Sequence, residues 1–229
     1  MNKFKLFFYV LICFIFTAAG FAQSKTEGKI QQMSGKTLDL FMEDGQNSND
    51  YVFIDVREKS EYDAGHIKYA INISVKELEM RLNEIKNLKD KNVVTTCRSG
   101  KRSLAAAEIL KKNGFKKIFN AAGFAQYKYT TVTKIENIHS GALKKLLNNS
   151  NYVVIDTRSA KDYNEKHIGN ALNIDLHSVD KIKTIDKNKT IIVYGYNKKD
   201  SFEVANKINQ AGYNVINCIE GTGNSDILK

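Results

Sequence analysis

Val93-Val94-Thr95-Thr96-Cys97-Arg98-Ser99-Gly100-Lys101-Arg102-Ser103 runs directly into Leu104-Ala105-Ala106-Ala107-Glu108-Ile109-Leu110-Lys111-Lys112-Asn113-Gly114. The β-branched run predicts a buried strand that ends on Cys97. The strong helix formers from Leu104 to Lys112, stopped by Gly114, predict a helix after a short basic loop. Loop N–H groups and a helix N-terminus then converge above the sulfur and form an anion cradle, lined by Arg98, Lys101 and Arg102. A thiol in that setting is expected to have a depressed pKa and to stand as a thiolate near neutral pH.

Outward from this stretch, the chain repeats itself. Tyr51-Val52-Phe53-Ile54-Asp55-Val56-Arg57 returns as Tyr152-Val153-Val154-Ile155-Asp156-Thr157-Arg158, and Gly65-His66-Ile67 returns as Lys166-His167-Ile168. Ala70-Ile71-Asn72-Ile73 returns as Ala171-Leu172-Asn173-Ile174, so 11 of the 23 positions from Tyr51 to Ile73 are identical at an offset of 101. The match resumes at an offset of 98, with Lys91-Asn92-Val93-Val94 against Lys189-Thr190-Ile191-Ile192 and Gly123 against Gly221. A period near 100 is the size of a small domain and too long for a solenoid repeat. We therefore expect two copies of one fold, 29–128 and 134–229, joined by Tyr129–Thr133. In the first copy, Tyr51–Val56, Val93–Thr96 and Lys117–Phe119 are predicted strands. Lys76–Leu88, with Leu78, Leu82, Ile85 and Leu88 on one stripe, and Leu104–Lys112 are predicted helices. Such alternation implies a parallel sheet covered by helices, with ligands at the carboxyl ends of the strands, where Cys97 falls.

Composition narrows the partners. The chain has 229 residues, a formal net charge of +10, no proline and no tryptophan. Its basic residues alternate with Asp and Glu, and no arginine-rich arm or aromatic-interleaved basic stripe is present, which argues against nucleic acid. The excess charge favours small anions. Residues 1–22 read as a secretory signal: Lys3 and Lys5 precede the apolar run Leu6–Phe16, and Thr17-Ala18-Ala19-Gly20-Phe21-Ala22 supplies a cleavage site after Ala22. Export to the periplasm or medium follows, with the membrane met only in transit. An uncleaved anchor is the alternative, since Leu6–Ala22 is at the short edge of what spans a bilayer. Of the three cysteines, Cys13 lies in that leader, leaving Cys97 and Cys218. This is no disulfide framework, although a single Cys97–Cys218 bridge stays open at this level. No spacing of His, Cys, Asp or Glu suggests a metal site, and no cofactor is expected.

The set Asp55-Val56-Arg57-Glu58, Glu61-Tyr62, Gly65-His66-Ile67, Ala70-Ile71-Asn72-Ile73, Cys97-Arg98-Ser99-Gly100-Lys101-Arg102-Ser103 and Ala122-Gly123-Phe124 resembles the rhodanese family of sulfurtransferases. The resemblance covers nearly all of 29–229 as a tandem pair. It implies an α/β fold of two rhodanese-like domains, each a small parallel sheet flanked by helices. It also implies that Cys97 takes a sulfane sulfur from an anionic donor such as thiosulfate and passes it to cyanide or a thiol. Arg98, Ser99, Gly100, Lys101, Arg102 and Ser103 would then bind the substrate. The loop from Cys97 to Arg102 has the sulfurtransferase length. A tyrosine phosphatase needs Arg where Ser103 stands, and a Walker phosphate loop needs Gly where Thr95 stands.

The second copy departs from this pattern. Gly195 occupies the cysteine position and Asp200 replaces Arg102, so this copy is expected to be inactive. His66 and His167 occupy the same place in both copies, including the one without a nucleophile, which favours a structural role; Asp55/Asp156 and Arg57/Arg158 read likewise as an architectural pair. Cys218 reads as a packed thiol. The competing function is a low-turnover sulfur carrier or binding module that docks partners through the degenerate copy. A redox role would need a second cysteine near Cys97.

Overall fold

The residues that form elements do so in the alternating order the repeat predicts. In the computed structural model, residues 29–45 and 50–222 are described; the leader reading of residues 1–22 lies outside them. The first copy runs β1 (Gln31–Met33), α1 (Gly35–Asp44), β2 (Tyr51–Asp55), α2 (Lys59–Asp63), β3 (His66–Ile67), β4 (Ile71–Asn72), α3 (Leu78–Arg81), β5 (Asn92–Thr96), α4 (Lys101–Lys112) and β6 (Lys117–Ala121). The short strand β7 (Val132–Thr133) follows. The second copy runs β8 (Glu136–Ile138), α5 (Ser140–Leu146), β9 (Tyr152–Asp156), α6 (Ala160–Glu165), β10 (Leu172–Asn173), β11 (Thr190–Tyr194), α7 (Lys198–Gln210) and β12 (Asn214–Cys218). Among the described residues no helix is long and apolar enough to cross a membrane.

Each copy builds a five-stranded parallel sheet, ordered β1-β6-β5-β2-β4 in the first and β8-β12-β11-β9-β10 in the second. The central strands are apolar on both faces, as Val52, Phe53, Ile54, Val93 and Val94 are all buried, because helices cover the sheet on each side. Two expectations need correction. The stripe 76–88 is one turn of α-helix followed by 3₁₀ turns at Leu82–Glu84 and Lys86–Leu88, with Ile85 between them at φ −118°, outside helical space. Helix α4 starts at Lys101, three residues before Leu104, because Gly100 at φ +84° turns the chain directly into it.

Residues 129–133 do more than join the copies. Val132–Thr133 pairs antiparallel with His66–Ile67, and Tyr129 is buried, its hydroxyl donating to the Ala122 carbonyl. One apolar core continues from the first copy into the second, with Tyr69 edge-on to Phe202 at 5.3 Å between ring centres.

Candidate active site

Cys97 leaves β5 at its carboxyl end and is fully buried. Three groups meet its Sγ: the Gly100 N–H at 3.2 Å, the Ser103 N–H at 3.4 Å and the Ser103 hydroxyl at 3.3 Å. Burial pushes this thiol up. The Ser103 hydroxyl and the N–H groups of Ser103, Ser99 and Gly100 outweigh that effect, and the thiol lies below its ordinary value. The N–H groups face the sulfur because Gly100 adopts a left-handed conformation and hands the chain to α4, whose first turn has no other partner for them.

The loop is braced from behind. The Phe124 N–H donates to the Cys97 carbonyl at 3.1 Å and the Ala125 N–H to the Arg98 carbonyl at 2.8 Å. This approach requires glycine at 123, where a Cβ would lie 2.4 Å from the Arg98 oxygen. Thr95 Oγ1 donates to the Ser103 carbonyl at 2.9 Å and pins the start of α4 to the sheet. Asp55 and Arg57 form the expected buried pair, with Arg57 also donating to the Gly65 carbonyl at 2.8 Å and its guanidinium 4.0 Å from the Phe124 ring centre.

The basic residues divide. Arg98 on the loop and Lys101 at the start of α4 are exposed. Arg102, expected to face the anion, instead grips Glu61 through two bonds of 2.6 and 2.9 Å. That contact holds the Glu61 carboxyl down to about 2. Fork-to-fork geometry fixes Arg102 in place, and its charge reaches the sulfur only over a distance. An open groove of about 470 Å³ borders the loop, lined by Gln32, Ser99, Gly100, Lys101, Leu104 and Gln126 among others.

One residue of the site carried no motif: Asn120 on β6, its Oδ1 accepting from the Ser103 hydroxyl at 2.6 Å. Glu61 stands in the quoted pattern, but nothing there pairs it with Arg102. The signal that points to Asn120 is internal: the Ser103–Asn120 pair returns as Ser201–Asn217, with the hydroxyl donating at 2.7 Å.

The second copy keeps the scaffold without the nucleophile. Asp156 and Arg158 repeat the buried pair. At Gly195 a Cβ would lie 2.4 Å from Thr157 Oγ1. Asn197 caps α7 with its own side chain, accepting from the N–H groups of Lys199 and Asp200 at 2.9 and 3.0 Å. Asp200 accepts from Asn197 Nδ2 at 2.7 Å. The N–H groups that would cradle a ligand are thus taken by the chain itself.

His66 has Nδ1 against the Tyr62 carbonyl at 3.0 Å and Nε2 against the Ile135 carbonyl at 2.9 Å, and stacks on Tyr62. His167 repeats the first contact at 2.8 Å and the stacking on Tyr163. His66 thus bridges two backbone carbonyls, and His167 holds one. Cys97 and Cys218 are free, which closes the question of a bridge between them; Cys218 is packed inside the second copy, where burial pushes its thiol up. No group of metal-ligating side chains occurs among the described residues.

A parallel α/β domain that seats a thiol in a strand-to-helix N–H cradle belongs to the class of cysteine-loop α/β proteins. The Rhodanese-like domain model matches residues 41–128 and 140–223, and the chain belongs to that family. The chain is 46% identical over 70 residues to the uncharacterized protein YqhL of Bacillus subtilis, a match that spans 31% of this chain and 54% of that protein. It is 36% identical over 84 residues to the putative sulfur carrier protein YrkF of the same organism, spanning 37% and 44%. It is 40% identical over 83 residues to a putative mitochondrial thiosulfate sulfurtransferase of Schizosaccharomyces pombe, spanning 31% and 58%. The chain thus spans about half the length of these relatives. Among solved structures, a thiosulfate sulfurtransferase from Pseudomonas aeruginosa matches 84% of this chain and 41% of its own at 14% identity and a TM-score of 0.37.

Proposed function

We propose that the protein is a sulfurtransferase that moves sulfane sulfur through a persulfide on Cys97, and that it works outside the cytoplasm after export. One observation carries the chemistry: the buried Cys97 Sγ sits against the Gly100 and Ser103 N–H groups at the start of α4. In the forward step the thiolate attacks the outer sulfur of an anionic donor such as thiosulfate. A new S–S bond forms on Cys97, the donor's S–S bond breaks, and sulfite leaves with the electron pair. In the return step cyanide or a thiolate attacks the outer sulfur of the persulfide and restores the Cys97 thiolate.

Each residue has a task in this scheme. Arg98 and Lys101 draw the dianion to the loop. The N–H groups hold the negative charge that stays on sulfur throughout, in the manner of an oxyanion hole. Gly123 and the Asp55–Arg57 pair hold the loop rigid. No separate base is required, because the cradle already favours the thiolate.

The test is intact mass of the protein after thiosulfate, compared with Cys97→Ser. A gain of about 32 Da that requires Cys97 and is discharged by cyanide as thiocyanate is the expected result. Loading without discharge to cyanide or any thiol would make the protein a carrier. No adduct on freshly reduced protein would overturn the thiosulfate reading. The same spectrum, on protein recovered from cells, shows whether residues 1–22 have been removed.

A further inference from the structure

Ser103 has a single hydroxyl hydrogen and three neighbours that could receive it. Asn120 Oδ1 lies at 2.6 Å, the Gly100 carbonyl at 3.2 Å and Cys97 Sγ at 3.3 Å. The orientation of the Asn120 amide is set by its other side. Its Nδ2 faces the Gly100 carbonyl and Gln32 Oε1, each at 3.4 Å. A backbone carbonyl can only accept, so the nitrogen must stay on that side and the oxygen is turned to Ser103. The sheet register enforces this arrangement: Gln32, Asn120 and Thr95 stand abreast on β1, β6 and β5, under the first turn of α4.

We propose that Asn120 is a positioning residue: it fixes which way the Ser103 hydroxyl hydrogen points, and so how much of Cys97 stands as thiolate. The proposal rests on the reading of Cys97 as the sulfur-accepting thiolate and adds its control. With the hydrogen on Asn120, the Ser103 oxygen turns lone pairs to the sulfur and accepts from an S–H, which favours the thiol. With the hydrogen turned to sulfur, the same hydroxyl stabilises a thiolate. Asn120 therefore competes with Cys97 for one hydrogen. The loop N–H groups face the sulfur in either case, and the hydroxyl adds to them only to the extent that its hydrogen leaves the amide for the sulfur. The second copy shows what the pair does without a thiol. There Ser201 donates to Asn217, whose Nδ2 donates to Asn137 at 3.0 Å, and the pair only ties helix to sheet.

The experiment is a pH titration of the Cys97 thiolate by its ultraviolet absorbance, with Cys97→Ser as the blank. It uses no sulfur donor, so its outcome is independent of whether thiosulfate is a substrate. Asn120→Leu should lower the midpoint by about 0.5–1 pH unit, the size of one hydrogen bond returned to the thiolate. Asn120→Asp, isosteric and a stronger acceptor, should raise it. Both shifts should shrink when Ser103→Ala is added, by the part that passes through the hydroxyl. Equal shifts with and without Ser103 would overturn the proposal by showing that Asn120 acts on the sulfur by another route, and no shift in either variant would overturn it by leaving Asn120 a purely structural tie. Such a tie would change the melting temperature of the variants and leave the titration unchanged.

Discussion

At the scale of single residues, Gly123 shows how little room the loop leaves. A Cβ there would lie 2.4 Å from the Arg98 oxygen and 2.7 Å from the Ser99 nitrogen, both backbone atoms that cannot move without moving the loop. Gly123→Ala is expected to cost about 1–3 kcal/mol in urea denaturation. Sulfur loading, followed by intact mass, should fall tenfold to a hundredfold or so as the cradle is displaced. Cys97, Gly100 and Ser103 were legible because strand, turn and helix signals are all local to them. Asn120 was not, and neither was the contact that Glu61 makes with Arg102. Glu61 and Asn120 reach the loop from 41 positions before Arg102 and 17 positions after Ser103, and nothing in their own neighbourhoods announces that contact. The pairing of Arg102 with Glu61 was out of reach for the same reason, since charge alone does not say which built-in anion an arginine will face.

At the scale of elements, the turn between β3 and β4 is the most strained point described. Tyr69 is fully buried at φ +64°, a conformation a bulky residue rarely adopts. Its hydroxyl is buried without a hydrogen-bond partner. The ring holds the turn in place by packing on Phe202, with the Lys68 ammonium 4.8 Å from its centre. Tyr69→Phe keeps the ring and removes the orphaned hydroxyl, so thermal and urea unfolding should both show a gain of about 1 kcal/mol. A loss would mean that the hydroxyl is bonded in solution. The strands were readable from β-branched runs, because a central strand of a parallel sheet is apolar throughout. The stripe 76–88 reads as one helix in the sequence for a definite reason. Turns of 3₁₀ and α type both bring every third or fourth residue to one side, so Leu78, Ile85 and Leu88 are buried in either case.

At the scale of the whole molecule, the two copies are locked by polar contacts as well as by the shared core. The Tyr62 hydroxyl accepts from the Asn137 N–H at 3.0 Å, and Lys198 Nζ donates to the Tyr51 carbonyl at 2.7 Å. Glu84 of the first copy meets Arg81 of its own copy, and Lys145 and His139 of the second, at 3.0–3.3 Å. Burial raises the Glu84 carboxyl, but the bonds from Arg81, Lys145 and His139 prevail and bring it down to about 2. A carboxyl depressed by folding stabilises the protein above the ordinary carboxylate range, and that contribution is lost as pH falls toward 2. Glu84→Gln should therefore cost about 1–2 kcal/mol above pH 5, and the gap to wild type should close in acid. Urea midpoints across that range measure it. The strand orders carry one more consequence. Edge strand β4 of the first sheet lies against β8, the counterpart of β1 in the second, through Asn137 Nδ2 donating to the Ala70 carbonyl at 3.2 Å. Two different surfaces meet, so the contact lacks two-fold symmetry and does not close on itself. Among the described residues no strand pairs with the complementary edges, at β1 and at β10, which is the geometry of an open-ended fibre. Strands of three and two residues offer too few main-chain groups to template another sheet, and by that shortness the protein is protected from polymerising on its own internal pseudo-symmetry.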